Sequence, residues 1–113
     1  MEKRIYDLDE REWVPLRGDF SRGVSGKPLV PAGLTEVKVL WTRVAAGGEF
    51  PSHRDAYHHV FCFLAGEGSG WLADENYEIR PGRVVQVPAG VEHGYRNTGT
   101  QDLVLLTLNI PAG

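Results

Sequence analysis

The stretch GRVVQVPAGVEHGYRN, residues 82–97, decides the reading of this chain. Gly82 follows Pro81, and the pair suits a tight turn, because Pro presets φ and Gly accepts a positive φ. The run VVQV reads as a short strand, and Pro88 ends it where a missing N–H donor costs little. Gly90 lets the backbone bend back, so that His93 enters the next strand facing inward. Side chains alternate faces along a strand, so His93, Tyr95 and Asn97 share one of them. The stretch therefore predicts two strands, the first after a tight turn and the second after a loop, AGVE.

Gly82, Pro88, Gly90, His93 and Asn97 also fit the pattern G-x5-P-x-G-x2-H-x3-N at every fixed position. At average residue usage, a chance match in a chain this short is on the order of one in 10⁵. The pattern is the second signature motif of the cupin family, and the chain resembles a small single-domain cupin of the Cupin_2 type. That resemblance implies an all-β fold, an antiparallel jelly-roll β-barrel that often holds one metal. The first cupin motif is roughly G-x5-H-x-H-x3-E-x6-G, and its counterpart here is GGEFPSHRDAYHHVFCFLAG. His53 falls on the first His, Asp55 on the second His and His59 on the Glu, and Gly66 closes the motif. The likeness runs from about Lys38 to Pro111, most of the chain.

Carried over position by position, the resemblance implies a metal set of His53, Asp55, His59 and His93. The usual set of three imidazoles and one carboxylate is kept, with the carboxylate moved. It also implies one divalent transition metal per chain, Fe, Mn, Ni or Zn. Asp is shorter than Glu; if Asp55 fails to reach, the donors are His53, His59 and His93, with Asp55 behind them. Parity supports the set independently of the family. His53, Asp55 and His59 point the same way on an extended segment, and Phe61 and Phe63 continue that face. His58 has the opposite parity and reads as a non-ligand. Mixed imidazole and carboxylate donors suit Mn²⁺ or Fe²⁺, and four of them leave about two octahedral positions open.

Around this set, Tyr57 and Tyr95 are the catalytic candidates, since a phenol near a metal can donate a hydrogen bond or a proton. A pocket-wall role is the competing reading for both. Arg43, Phe61 and Phe63 are the substrate-binding candidates. An Arg43 facing the pocket would favour a carboxylate or phosphate. Arg54 reads as a solvated charge. Cys62 has the wrong parity for the metal face, and as the only cysteine it excludes an internal disulfide. No Ser-His-Asp arrangement, phosphate loop or dinucleotide fingerprint is present.

The 113 residues support one domain, and an apolar fraction of 42% is ordinary for a folded protein. A net charge of -3 gives no electrostatic case for nucleic acid or an anionic membrane. No apolar run approaches membrane-spanning length, and the charged N-terminus lacks the apolar core of a secretory signal. The expected compartment is the cytoplasm. Residues 1–35, rich in Pro and Gly, read as an N-terminal arm packing on the barrel or on a partner, and residues 36–113 as the barrel. VKVLWTRVAA reads as a strand ended by Gly47 and Gly48. HHVFCFLAG, GSGWLAD, YEIR, HGYRN and DLVLLTLNI read as further strands, with a turn at Asp74, Glu75 and Asn76. Several strands are apolar on both faces, so the outer face needs a cover. Because small cupins commonly pair, a homodimer is expected; cover by the arm alone is the alternative.

The resemblance leaves function open, since one fold hosts many chemistries. The leading expectation is a metal-dependent enzyme on a small organic molecule, with oxygenase-like chemistry. Metal-dependent isomerase or lyase chemistry is the alternative within enzymes. A non-catalytic ligand-binding or sensing module and a metal-free barrel are the alternatives outside them.

Overall fold

The computed structural model describes residues 4–113, which form nine strands and one short 3₁₀ turn, Leu8–Glu10. The strands are β1 (Val14–Pro15), β2 (Arg22–Pro28), β3 (Lys38–His53), β4 (His58–Ala65), β5 (Gly68–Leu72), β6 (Glu75–Ile79), β7 (Val84–Val87), β8 (His93–Asn97) and β9 (Leu103–Ile110). All pair antiparallel, in the order β6-β5-β8-β3-β9-β4-β7, with β2 on β3 and β1 on β2. The result is the jelly-roll barrel that the two motifs imply.

β3 is the element that closes it. The strand does not end at Gly47 and Gly48, as the sequence suggests, but runs on to His53. Its first half, Lys38 to Val44, pairs with β9, while Glu49, Phe50 and His53 pair with β8. One strand thus joins β9 to β8 within one curled sheet, and the two glycines mark the corner. Gly47 has φ +78, and a Cβ on Gly48 would lie 2.8 Å from the carbonyl oxygens of Ala45 and Arg22. A glycine within a strand often marks a tight bend at a barrel corner.

The Pro81–Gly82 turn takes the expected form, and the loop before β8 begins with a turn of the same kind. Arg83 N–H bonds to Arg80 C=O across Pro81 and Gly82, and Val91 N–H bonds to Pro88 C=O across Ala89 and Gly90. Both glycines have positive φ, as the third residue of a type II turn requires. The β5–β6 turn is tighter than expected. Leu72 pairs with Glu75, so Ala73 and Asp74 make a two-residue loop and Glu75 and Asn76 belong to β6.

Asn97 closes the other end of the motif and is buried. Its Nδ2 donates to the carbonyls of Val44 and Gln101, and its Oδ1 accepts from Gly99 N–H. One side chain thereby holds the β8–β9 turn against the β3 corner. The interior is filled by alternate residues: Phe61 and Phe63 on β4, Leu103 and Leu105 on β9, Val85 and Val87 on β7. Thr42 and Thr107 face each other there, with their hydroxyls 2.9 Å apart, so neither is buried without a partner.

The arm is less separate than its composition suggests. β2 is a sheet strand, with Val24 opposite Val44 in the ladder and buried in the core. On the outside, Leu64 is 38% and Val84 54% exposed, and Val60, Cys62, Val104, Leu106 and Leu108 are half-buried. No described helix is long and apolar enough to cross a membrane.

Candidate metal centre

His53 ends β3 and His93 begins β8, and the two are directly opposite in the antiparallel ladder. His59 lies on β4, beside Asn109 of β9. Asp55 comes from the loop between β3 and β4, not from a continuous strand. That loop is tied to the turn of the second motif. Gly90 N–H donates to Asp55 C=O, Arg54 donates to Gly90 C=O, and His58 Nδ1 accepts from Ala89 N–H. His58 is therefore a clamp outside the cluster, and Arg54 does more than carry a solvated charge.

These placements bring His53, Asp55, His59 and His93 together, with one donor atom from each inside a span of 4.8 Å. Asp55 Oδ2 is 2.9 Å from His53 Nε2, 2.7 Å from His59 Nε2 and 3.6 Å from His93 Nε2. Donors about 2.1 Å from one ion and at right angles to each other stand about 3 Å apart, so these separations suit a shared ion.

The outer ring nitrogens fix what the inner ones present. His53 Nδ1 donates to Pro51 C=O at 2.8 Å, and His93 Nδ1 donates to Val91 C=O at 2.9 Å. His59 Nδ1 pairs with Asn109 Oδ1 at 2.8 Å. Each acceptor demands hydrogen on Nδ1, so each neutral ring turns a bare Nε2 lone pair inward. Lone pairs then face a carboxylate, which only a proton or a cation between them relieves. His93 Nε2 is buried and has no hydrogen-bond partner among the described residues. A buried polar atom left without a partner is costly, and a metal ion is the partner this donor set fits.

Burial pushes the Asp55 pKa up, but His59 Nε2, 2.7 Å away, and the three imidazoles outweigh it when a proton sits on an inner nitrogen, and leave it below the ordinary value. Burial, first, and the neighbouring histidines push the His93 pKa down, against the Val91 hydrogen bond and the Asp55 charge. Both folded pKa values lie below the unfolded ones. Each group therefore contributes stability above its unfolded pKa, near 6.5 for His and 3.9 for Asp, which is lost as pH falls through the folded pKa. Protons and a metal ion also compete for the same nitrogens. Zinc affinity measured by competition titration is thus expected to hold from pH 8 to 7 and to fall about tenfold or more by pH 5.5. An affinity that does not change with pH would contradict imidazole ligation.

The cluster opens into a cavity of ≈ 600 Å³. Phe61 and Tyr57 line it, as expected, and so do arm residues including Val14, Leu16, Arg17 and Val30. The Tyr57 hydroxyl pKa is raised by burial and by Asp55, against the pull of Arg17, so the phenol stays a donor at neutral pH. Tyr95 also borders the cavity, yet it is only 3% exposed and packs edge-on against Phe61 and Phe63. Burial pushes its hydroxyl pKa far up, so the phenol stays protonated, and its packing under Phe61 and Phe63 makes it the cavity floor.

Two expectations are corrected. Arg43 is absent from the cavity wall: its guanidinium lies 3.9 Å over the Trp13 ring and its Nε donates to Ser25. The direction it faces is set by Trp13, which its sequence neighbours do not reveal. Phe63 sits one strand repeat deeper than Phe61, 1% exposed among Tyr77, Tyr95 and Phe61, and does not line the cavity. Asn109 and Arg17 are the residues that strand parity missed. Asn109 did leave a signal, as a polar residue continuing the inward series Leu103, Leu105 and Thr107.

The fold and the His–Asp cluster define a cupin barrel with a group that could hold a metal. The Cupin domain family model (Cupin_2) matches residues 40–109, more than half of the chain, which belongs to that family. Auxin-binding protein 1 of Arabidopsis thaliana is 29% identical over 85 residues, a match taking in 67% of this chain and 43% of that protein. The chain thus spans under half the length of that relative. Among solved structures, the polyketide cyclase RemF of Streptomyces resistomycificus superposes with a TM-score of 0.84 at 21% identity, covering 99% of this chain and 81% of its own. A predicted oxalate decarboxylase of Thermotoga maritima gives 0.81 at 22%, covering 96% and 99%. These two likenesses speak for the fold alone.

Proposed function

We propose that the protein is a metal-dependent enzyme acting on a small organic molecule, with one divalent transition metal held by His53, Asp55, His59 and His93. The observation that carries this reading is the unpartnered, buried His93 Nε2, aimed with two other imidazoles at one carboxylate oxygen beside an apolar cavity. Cavities of this volume commonly take small ligands. The metal would supply Lewis acidity and open positions for a second ligand, and oxygenase-like chemistry uses both. Tyr57 would donate a hydrogen bond to the ligand at the cavity wall, and Phe61 and the arm would exclude water from it. A relative named for binding auxin and fold neighbours named as a cyclase and a predicted decarboxylase agree with small-molecule chemistry on this barrel.

The test is nitric oxide, a stand-in for dioxygen, added anaerobically to protein loaded with Fe²⁺. The oxygenase reading expects about one equivalent bound and the paramagnetic signal of a ferrous nitrosyl. No binding to the loaded protein would remove that reading and favour isomerase or lyase chemistry, which does not need the open position for a gas.

The same reading includes a homodimer in the cytoplasm. The half-buried apolar outer face of β4 and β9, with the exposed Val84 of β7 beside it, supports a second copy as its cover. Light scattering is expected to give twice the chain mass; a strict monomer would remove the dimer.

A further inference from the structure

Arg17 lies between β1 and β2, and the fold brings it to the cavity wall beside the metal cluster. Its Nη1 is 3.5 Å from Asp55 Oδ1, and its Nε is 3.5 Å from Asp19 Oδ1. Charge-assisted contacts settle at about 2.7–2.9 Å, so neither carboxylate engages the guanidinium fully. The side chain is 47% exposed, yet it is held in position. Its terminal carbon lies 4.5 Å over the Phe20 ring, and Tyr57 lines the same cavity. The Arg17 backbone has φ 51, a left-handed conformation that residues other than Gly seldom adopt and that costs free energy. The fold therefore maintains a strained arginine with spare N–H donors at the edge of the cavity.

The rest of that wall is mainly apolar, with Leu16, Val30, Val39, Leu40 and Phe61 among its residues. Lys38, the other cation on it, is exposed at the start of β3. We propose that Arg17 is the anion-recognising residue of this cavity, and that the ligand is a small organic acid. Its carboxylate would meet the guanidinium fork, and its aryl or branched alkyl body would lie on the apolar wall. The inference rests on the metal reading in one respect: a divalent ion beside a single carboxylate leaves the cluster net positive, which reinforces Arg17 in favouring an anion.

The experiment is calorimetric titration of benzoate, phenylacetate, 3-phenylpropanoate and 4-methylpentanoate, each beside its primary amide, into zinc-loaded protein. In the wild type the best acid is expected to bind about tenfold or more tightly than its amide. Arg17→Gln should reduce that preference to about threefold or less, and Arg17→Lys should recover part of it, because the charge returns without the fork. Zinc affinity of Arg17→Gln, measured separately, should stay within a few-fold of wild type. The inference is overturned if no acid in the series is preferred, or if Arg17→Gln keeps the preference. It is also overturned if Arg17→Gln loses zinc and the preference together and excess zinc restores the preference, which would make Arg17 a support for Asp55. Failure of the wild type to bind zinc, with an Arg17-dependent acid preference intact, would uphold this inference and overturn the metal reading alone.

Discussion

Replacing His93 with alanine is expected to lower zinc affinity by about a hundredfold or more, on the scale set by four-donor sites. The far-ultraviolet circular dichroism should keep its β form. The ring is 2% exposed and its Nε2 has no hydrogen-bond partner among the described residues, so the residue spends a buried polar atom on something other than the fold. What it gives to stability is the hydrogen bond to Val91 and its packing on Phe61 and the other two imidazoles. A loss of metal affinity with modest destabilisation is the pattern of a ligand. The reverse, a large loss of stability with zinc affinity unchanged, would make His93 a core residue and dissolve the centre. Asp55→Asn refines the result, because it keeps the shape and removes the charge. A loss matching that of His93→Ala puts the carboxylate on the ion, whereas about tenfold puts it behind the imidazoles.

Phe63→Ala should behave in the opposite way. The ring is 1% exposed at the centre of the barrel, where Tyr77, Tyr95 and Phe61 surround it. Truncating a buried Phe costs about 3–5 kcal/mol, from lost transfer energy and the void left behind. Domains of this size have about 5–15 kcal/mol in total. Thermal unfolding should therefore fall by roughly 10–20 °C. Zinc affinity at low temperature should stay within a few-fold, since its ring partners are Phe61, Tyr77 and Tyr95 and not the donor imidazoles. An unfolding temperature within about 3 °C of wild type would mean that Phe63 lines the cavity after all.

The contrast between Phe61 and Phe63 marks how far the sequence carries. Parity places both on the inner face of β4, and both are inside. It does not say where along the barrel axis the cavity ends and the core begins, because that depends on which side chains cross from β8 and β6. The motif of residues 82–97 was legible because each of its turns is a local event, set by Pro81, Gly82, Pro88 and Gly90. His53, Asp55, His59 and His93, which the structure brings into one group, were legible because their spacing matches the two cupin motifs. Parity grouped Asp55 with the histidines, although it reaches the cluster from a loop and not from an extended strand. Arg17 was illegible: the arm has no periodicity, and only the pairing of β2 with β3 carries it to the cavity. Arg43 was misplaced for a related reason, since its partner Trp13 lies 30 positions away in that same arm.

The most direct measurement of the central claim is zinc stoichiometry on wild-type protein made without a histidine tag, stripped of metal and titrated at pH 7.5 beside His59→Ala. The account predicts one ion per chain in the wild type and a greatly weakened site in the variant. Wild-type protein that takes up no zinc, iron, manganese or nickel, or a His59→Ala variant that binds as well as wild type, would contradict it.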